Sequence, residues 1–371
     1  MAISPGSTAE MHATPTRVLF DAHHIGSGKT GNETYARELL NALRGRPNLH
    51  LTAAVTAGAV DPALAPPVAI RRVPRNGWLR LLALGMAGSR FDLIHSMYYR
   101  PLASRRPTVV SIHDVSFERH PDFFSRVEVL KNRLLVREAA RRASMVVTLS
   151  EHARSEMIEL YGLDPDRVAV VPGGVSAAFL APREPRQPTA SPELVRILAV
   201  GTLQPRKNLL RLLDAVRIVG SSSRVQLRVI GPPGHAAQEI QDRLGGSDVV
   251  LLGYVSEEEL LQEYRAADVF VYPSIYEGFG LPVVEAMASG TPVVTTTGGS
   301  LPEVAGDAAL IVDPYDVGAL AGAITQLIED ADLRAQLVDR GLRRAGEFSW
   351  RSAADRLSAV YDRVIGAGTA R

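Results

Sequence analysis

Residues 272–290 read YPSIYEGFGLPVVEAMASG. The stretch has the grammar of a strand's carboxyl end that opens through a glycine loop into a helix. Gly278 and Gly280 let the backbone approach a ligand closely, because no Cβ stands in the way. Pro282 falls near the first turn of the following helix, where the missing N–H costs nothing. A helix start offers free amides and the positive end of its dipole to an anion, and a diphosphate suits it. Two glutamates bracket this turn: Glu277 before the helix and Glu285, read as part of its first turn. In open α/β sheets ligands bind outside the carboxyl ends of the strands, so an acid beside a glycine pair at that place points to a ligand. Glu285 also suits a plain complement to the helix dipole, worth only ~0.3 to 1 kcal/mol.

Working outward, the chain alternates short apolar strands with helical segments. Strands are expected at 17–22, 51–55, 93–95, 108–112, 145–149 and 168–171, with a helix from about Glu33 to Leu43 after the first. A second series is expected at 196–200, 226–230, 249–251, 269–272, 292–296 and 309–311, with helices at Leu209–Val219 and Glu257–Ala266. Such alternation specifies parallel, helix-covered sheets. Between the two series stands APREPRQPTASP, residues 181–192, with the composition of a linker. The expected division is a tail at 1–16, a first domain at 17–180, a second at 193–349 and a C-terminal helix within 350–371. Two domains also suit 371 residues, since single cores stop growing near about 250 to 300.

Composition narrows the function. There is no cysteine, so a disulfide framework, a zinc knuckle and a thiol nucleophile are excluded, and a reducing cytoplasmic compartment fits. Residues 1–16 lack the basic start and apolar stretch of a secretory signal. No run approaches the ~20 apolar residues of a membrane span. Net charge is +1, yet residues 71–142 hold fifteen Arg or Lys against six Asp or Glu. Either this is an arginine-rich solvated surface or it meets an anionic partner, such as a membrane face. Arg71, Arg72, Arg75, Trp78 and Arg80 lead into Leu79–Met86, which is expected to form a helix with one apolar and one basic face. Buried leucines of an ordinary core helix would share that spacing.

Other segments carry chemistry. Gly201–Asn208, GTLQPRKN, follows the first strand of the second series, and its Arg206 and Lys207 can grip a phosphate by paired hydrogen bonds and a point charge. His113 and Asp114 end a strand in VVSIHDVSF. The loop GSGKTG, residues 26–31, matches a dinucleotide glycine fingerprint. It lacks the acid that should close the second strand, and His23 stands where a triphosphatase loop needs glycine. Asp164-Pro165-Asp166 spells an acidic triplet between a helix and a strand, where Asp and Pro make ordinary turns.

The segment 272–290 resembles the paired-glutamate signature of the retaining glycosyltransferases of glycosyltransferase family 4, which have the GT-B fold. Further matches are VVTLSEHARSEM from Val146, VVPGGVSAAF from Val170, LLGYVSEEEL from Leu251 and FSWRSAADRL from Phe348. The likeness implies two Rossmann-like, doubly wound parallel-sheet domains facing each other across a cleft, the C-terminal helix packing back on the first. It implies a metal-independent, retaining transfer of a mannose- or glucose-type hexose from a GDP-sugar or UDP-sugar to a glycan, a lipid-linked or a small-molecule acceptor, with no other cofactor, no metal and no nucleic acid. It gives Glu277 and His113 to the donor sugar, Glu285 to the ribose, Arg206 and Lys207 to the diphosphate, and Tyr254 and Val255 to the base. Gly278, Phe279, Gly280 and Leu281 form the donor loop, while Gly28, Gly31 and Asn32 border the cleft from the first domain. Thr202 departs from members that carry an arginine after the glycine, and Gly173 and Ser176 depart from an asparagine-glycine-valine-aspartate form, where a local loop change is expected. A sugar phosphorylase or nucleotide-sugar epimerase on the same fold, a nicotinamide oxidoreductase and a non-catalytic partner subunit stand as alternatives.

Overall fold

The computed structural model describes residues 14–26, 31–59, 64, 66–181, 194–234, 237–246 and 248–369. Most of the expected tail and linker, and Gly28 with its neighbours, lie outside these. The first sheet has seven parallel strands: β1 (Thr16–Asp21), β2 (Leu49–Thr56), β3 (Ala69–Val73), β4 (Leu93–Met97), β5 (Thr108–Ser111), β6 (Met145–Thr148) and β7 (Val168–Val170). Their order is β3-β2-β1-β4-β5-β6-β7. The second has six: β8 (Leu194–Val200), β9 (Arg224–Ile230), β10 (Val249–Gly253), β11 (Val269–Tyr272), β12 (Val293–Thr296) and β13 (Ala309–Val312), ordered β10-β9-β8-β11-β12-β13.

Helices cover both faces, so the inner strands read as continuous apolar runs rather than alternating ones. Every residue of β4, β5, β6, β11 and β12 is buried. β3 was not legible in the sequence because it is an edge strand with four of its five residues exposed, among them Arg71 and Arg72. Within β1, Val18 and Phe20 belong to the core that includes the helices Gly31–Leu43 and Trp350–Thr369. Leu19 points the other way, into a core with Leu81 and Leu84 of the helix Gly77–Ala87, as the two-residue period of a strand requires.

Strand order reverses between β1 and β4 in the first sheet and between β8 and β11 in the second. At such a switch point the loops leaving two adjacent strands run in opposite directions and leave a crevice at the carboxyl edge. In the second sheet these loops are 201–208 and 273–280, the segments that carry Arg206, Lys207 and Glu277.

The chain returns to the first domain at its end. Val175 bridges to Ser349, and Gly174 permits the crossing, since a Cβ there would lie 2.3 Å from the amide nitrogen of Trp350. From there Trp350–Thr369 lies against Gly31–Leu43. Its Tyr361 hydroxyl sits 2.6 Å from Nδ1 of buried His95, whose Nε2 is 2.7 Å from Ser111 Oγ. Burial pushes His95 down to about 3, against the pull of Asp21, so the ring is neutral and uses one nitrogen to donate and the other to accept. Tyr361→Phe therefore leaves one buried ring nitrogen unpaired. A loss of about 1 to 3 kcal/mol in denaturant-induced unfolding is expected, with the denaturant slope unchanged.

Candidate functional site

Three charged side chains meet where the loops after β8 and β11 come together. Arg206 and Lys207 sit in the tight turn Pro205–Lys207. That turn is fixed by Asn208, whose amide nitrogen donates to the carbonyls of Pro273 at 3.0 Å and Pro314 at 2.7 Å. Lys207 Nζ donates to Glu277 Oε1 at 2.6 Å and to the Tyr272 hydroxyl at 2.6 Å. Arg206 Nη1 lies 2.9 Å from Glu277 Oε2 and donates to the Tyr276 carbonyl at 2.5 Å. The side chains of Arg206, Lys207 and Glu277 are only 17, 11 and 9% exposed.

Burial alone would raise the Glu277 carboxyl, but Arg206 and Lys207 outweigh it and hold it at about 2. Burial lowers the Lys207 ammonium, with Glu277 opposing and Arg206 adding to the effect. Burial also acts to lower Arg206, and Glu277 and Asp114 more than reverse it. The cluster holds two cations to one carboxylate, and Arg206 lines a cavity of 330 Å³ between the domains. Its Nη1 serves Glu277 and Tyr276, which leaves Nε and Nη2 for a ligand.

The backbone of Glu277 is held as firmly as its side chain. It bridges to Gly299, and the amide of Ser300 donates to its carbonyl at 3.0 Å; Ser300 Oγ lies 3.0 Å from that carbonyl and from Phe279's. Gly299 has φ of +65°, and a Cβ on it would lie 2.3 Å from the Glu277 carbonyl oxygen. Sequence reasoning passed over this loop, although TGGSLP, residues 297–302, has the same glycines-then-proline form as GFGLP.

The helix after the glycine loop 278–280 runs from Leu281 to Ala288, preceded by Gly280 in a left-handed conformation. Glu285 is thus its fifth residue and lies in the second turn, not the first. The dipole's influence falls off within one turn, which removes the dipole-complement reading. Glu285 is half-buried and accepts from the Tyr264 hydroxyl at 3.0 Å. Burial pushes its carboxyl up to about 7, with the Tyr264 hydrogen bond opposing and Glu257 adding.

From the first domain, His113 enters against the glycine loop 278–280. A Cβ on Gly278 would lie 2.4 Å from the His113 carbonyl oxygen, so only glycine fits. Ser150 Oγ donates to the Gly278 carbonyl at 2.9 Å. The carboxylate of Glu303 accepts from the amides of Glu151 and His152 at 2.8 and 2.9 Å, at the start of the helix Glu151–Tyr161. Burial pushes the His113 ring down to about 3, so it is neutral. Its Nδ1 lies 2.7 Å from Asn32 Oδ1 and must donate there, which leaves buried Nε2 as an acceptor without a partner among the described residues. Asp114 holds the loop: its Oδ1 accepts from the Ser116 amide at 2.9 Å.

Gly31 starts its helix beside Leu281, where a Cβ on it would lie 4.0 Å from Leu281 Cδ1, and Phe279 is buried in an edge-to-face contact with Phe348. Val255 is half-buried after β10, whereas the side chain of Tyr254 next to it is 71% exposed. Asp164 makes a turn, its Oδ1 accepting from the Asp166 amide. Gly173, one of the departures from the family form, lies against Phe279 and Leu281; a Cβ there would be 3.0 Å from Leu281 Cδ2.

A family model described as "Glycosyltransferase Family 4" matches residues 30–179, and one described as "Glycosyl transferases group 1" matches residues 182–344. O-antigen chain mannosyltransferase B of Escherichia coli is 34% identical over 277 residues, covering 71% of this chain and 72% of that protein. The chain belongs to glycosyltransferase family 4. Among other relatives of this family 4 glycosyltransferase, D-inositol 3-phosphate glycosyltransferase 2 of Catenulispora acidiphila is 30% identical, with 96% of each chain covered. Two solved structures share the GT-B fold. Sucrose-phosphate synthase of Thermosynechococcus elongatus has a TM-score of 0.78 at 21% identity, covering 96% of this chain and all of that one. Anabaena HepE, in complex with UDP and glucose, has a TM-score of 0.76 at 20% identity, covering 94% and 100%.

Removing the Glu277 carboxylate strands two buried cations. Glu277→Ala should lower stability at pH 7 by about 3 to 5 kcal/mol in urea titration. The sign follows from the depressed pKa: the contribution is complete above 4.5 and fades as pH falls toward about 2, so wild type and variant should converge at the acid end.

Proposed function

We propose that this family 4 glycosyltransferase is a retaining hexosyltransferase that moves a mannose- or glucose-type sugar from a GDP-sugar or UDP-sugar to a sugar or lipid-linked acceptor in the cytoplasm. The observation that carries the reading is the Arg206–Lys207–Glu277 cluster at the switch point of the second sheet. Diphosphate is the leaving group, and its departure develops negative charge. Preorganised cations in a water-poor site stabilise that charge without reorganisation, the work a divalent metal does elsewhere. Arg206 contributes its unused guanidinium donors, Lys207 its ammonium, and the loop Gly278–Leu281 its backbone amides.

Glu285 accepts from the ribose hydroxyls, and Val255 and Tyr254 flank the base at the end of β10. Glu277 and His113 face the sugar, the carboxylate kept ionised by its two cations and the neutral imidazole offering Nε2 as an acceptor. The departing phosphate takes the acceptor's proton, so no side chain serves as covalent nucleophile. The acceptor enters from the first domain through the 330 Å³ cavity, where Tyr98, Phe123 and Phe124 supply aromatic lining for a pyranose and Asp114 and Asn132 its hydroxyl partners. The mannosyltransferase name of one relative and the UDP-glucose held by HepE support the donor class.

Two measurements test this. Arg206→Ala combined with Lys207→Ala should weaken nucleoside diphosphate binding at least tenfold and leave nucleoside binding unchanged, since a buried charged hydrogen bond is worth ~1.5 to 3 kcal/mol. Equal loss of both ligands in calorimetry contradicts the diphosphate assignment. The Glu285 carboxyl, raised to about 7, is protonated at lower pH and then loses acceptor capacity. Nucleoside affinity should therefore rise from pH 6 to 8 in wild type and stay flat in Glu285→Gln.

A further inference from the structure

The helix Gly77–Ala87 is turned the opposite way to the sequence expectation. Its one charged residue, Arg80, is buried and directed at Asp21, with Nε 3.7 Å from Oδ2. Leu81, Leu84 and Ala87 face the core. What the helix shows to solvent is Trp78, Leu79, Leu82 and Met86, all exposed and three of them more than half so. Water-facing helix surfaces of soluble proteins ordinarily carry the polar residues, so this face is reversed.

The helix Arg126–Arg142 repeats the arrangement. Val129, Val136, Ala139 and Ala140 are buried, while Val127, Leu130 and Leu134 form an outward stripe, each more than half exposed. Both helices cover the same face of the first sheet, packing on Leu19 and Ala54 in one case and on Val110 and Val146 in the other. Tyr99 joins them: it packs against both cores, donates its hydroxyl to Asn132 Oδ1 at 2.6 Å, and has Lys131 Nζ 5.4 Å from its ring centre. Leu102, also exposed, fills the surface beside Gly85, where a Cβ would collide with the Leu102 carbonyl. Exposed cations surround this apolar strip: Arg71, Arg72 and Arg75 at one end, Arg90, Arg105 and Arg106 beside it, and Arg126, Lys131 and Arg137 along the second helix.

We propose that this face docks the enzyme on an anionic phospholipid bilayer, with Trp78, Leu79, Leu82, Met86, Leu130 and Leu134 entering the headgroup boundary and the surrounding cations meeting lipid phosphates. Apolar side chains ringed by arginine and lysine match the layered chemistry of such an interface: acyl chain inside, anionic headgroup outside. A soluble acidic protein would pair with the cations but leave the apolar strip without a partner. Tyr99 and Asn132 also line the interdomain cavity, so the docking face runs into the cleft's acceptor side. An acceptor anchored in the bilayer thus reaches the cavity without leaving the interface; that step rests on the transferase reading, whereas the docking does not.

The test is sedimentation of the full chain with vesicles of phosphatidylcholine alone or mixed with phosphatidylglycerol, at low and high salt. Binding only to the anionic vesicles, weakened by salt, is expected. Trp78 and Trp350 are the chain's two tryptophans and Trp350 is buried, so brominated acyl chains should quench Trp78. Leu82→Glu with Leu130→Glu should reduce vesicle binding about tenfold or more, because each residue then exposes a charge to the acyl boundary. The thermal midpoint and nucleoside diphosphate affinity should stay unchanged, since both positions are solvent-exposed and outside the cleft. Binding to anionic vesicles no greater than to neutral ones, or sedimentation without quenching of Trp78, overturns the proposal. So does a concentration-dependent dimer that the two substitutions disperse, which would assign the face to a second copy of the chain. A docking failure with intact sugar transfer would leave the transferase reading standing, and the converse result would do the reverse.

Discussion

A single carboxylate held between two buried cations organises the centre of this molecule. Glu277 fixes Arg206 and Lys207 at once, and those residues stand on the loop of a different strand. The pairing therefore locks together the two loops that flank the switch point of the second sheet. Isolated, either cation would be expensive to bury, and so would the carboxylate; together they cost less and stay ionised. Everything nearby serves that geometry. Asn208 staples one loop to Pro273 and Pro314, and the glycine pair 298–299 lets a third loop lie directly on the Glu277 backbone. Under the proposed reading, such a cluster presents its two cations to a leaving diphosphate before any donor arrives, and no charge has to be assembled during the reaction.

The same loop also couples the domains. Gly278 meets the His113 carbonyl where no side chain fits, and Ser150 and Glu303 add hydrogen bonds across the cleft. Glu303 caps the start of a helix from the other domain, so its carboxylate gains both amides and the favourable end of that helix's dipole. The groups that hold the loop 278–280 in place are thus partly first-domain groups.

Much of this was legible in the chain. The strand-helix alternation marked two parallel sheets because inner strands buried on both faces read as unbroken apolar runs, and the glycine-proline grammar of 278–282 marked the loop and helix start that follow β11. What escaped the reading depended on contacts between distant residues. The partnership of Lys207 with Tyr272 and Glu277 spans 65 and 70 positions, and no periodicity announces it. β3 carries arginines on an exposed edge, so hydrophobicity did not mark it. Glu285 falls in the second turn because the helix starts at Leu281, directly after the left-handed Gly280. The spacing puts Arg80 on a basic face, but buried Asp21 draws it inward, and Leu79 and Leu82 turn out while Leu81 and Leu84 stay in the core. Composition alone contains no information on which way such a helix rolls.

The most direct test of the central claim is a crystal structure with a nucleoside diphosphate bound. The account predicts the terminal phosphate within hydrogen-bond distance of Arg206 and Lys207, the ribose hydroxyls on Glu285 and the base beside Val255. A nucleotide seated instead on the 26–31 loop of the first domain, with the Arg206–Lys207–Glu277 cluster untouched, would contradict it.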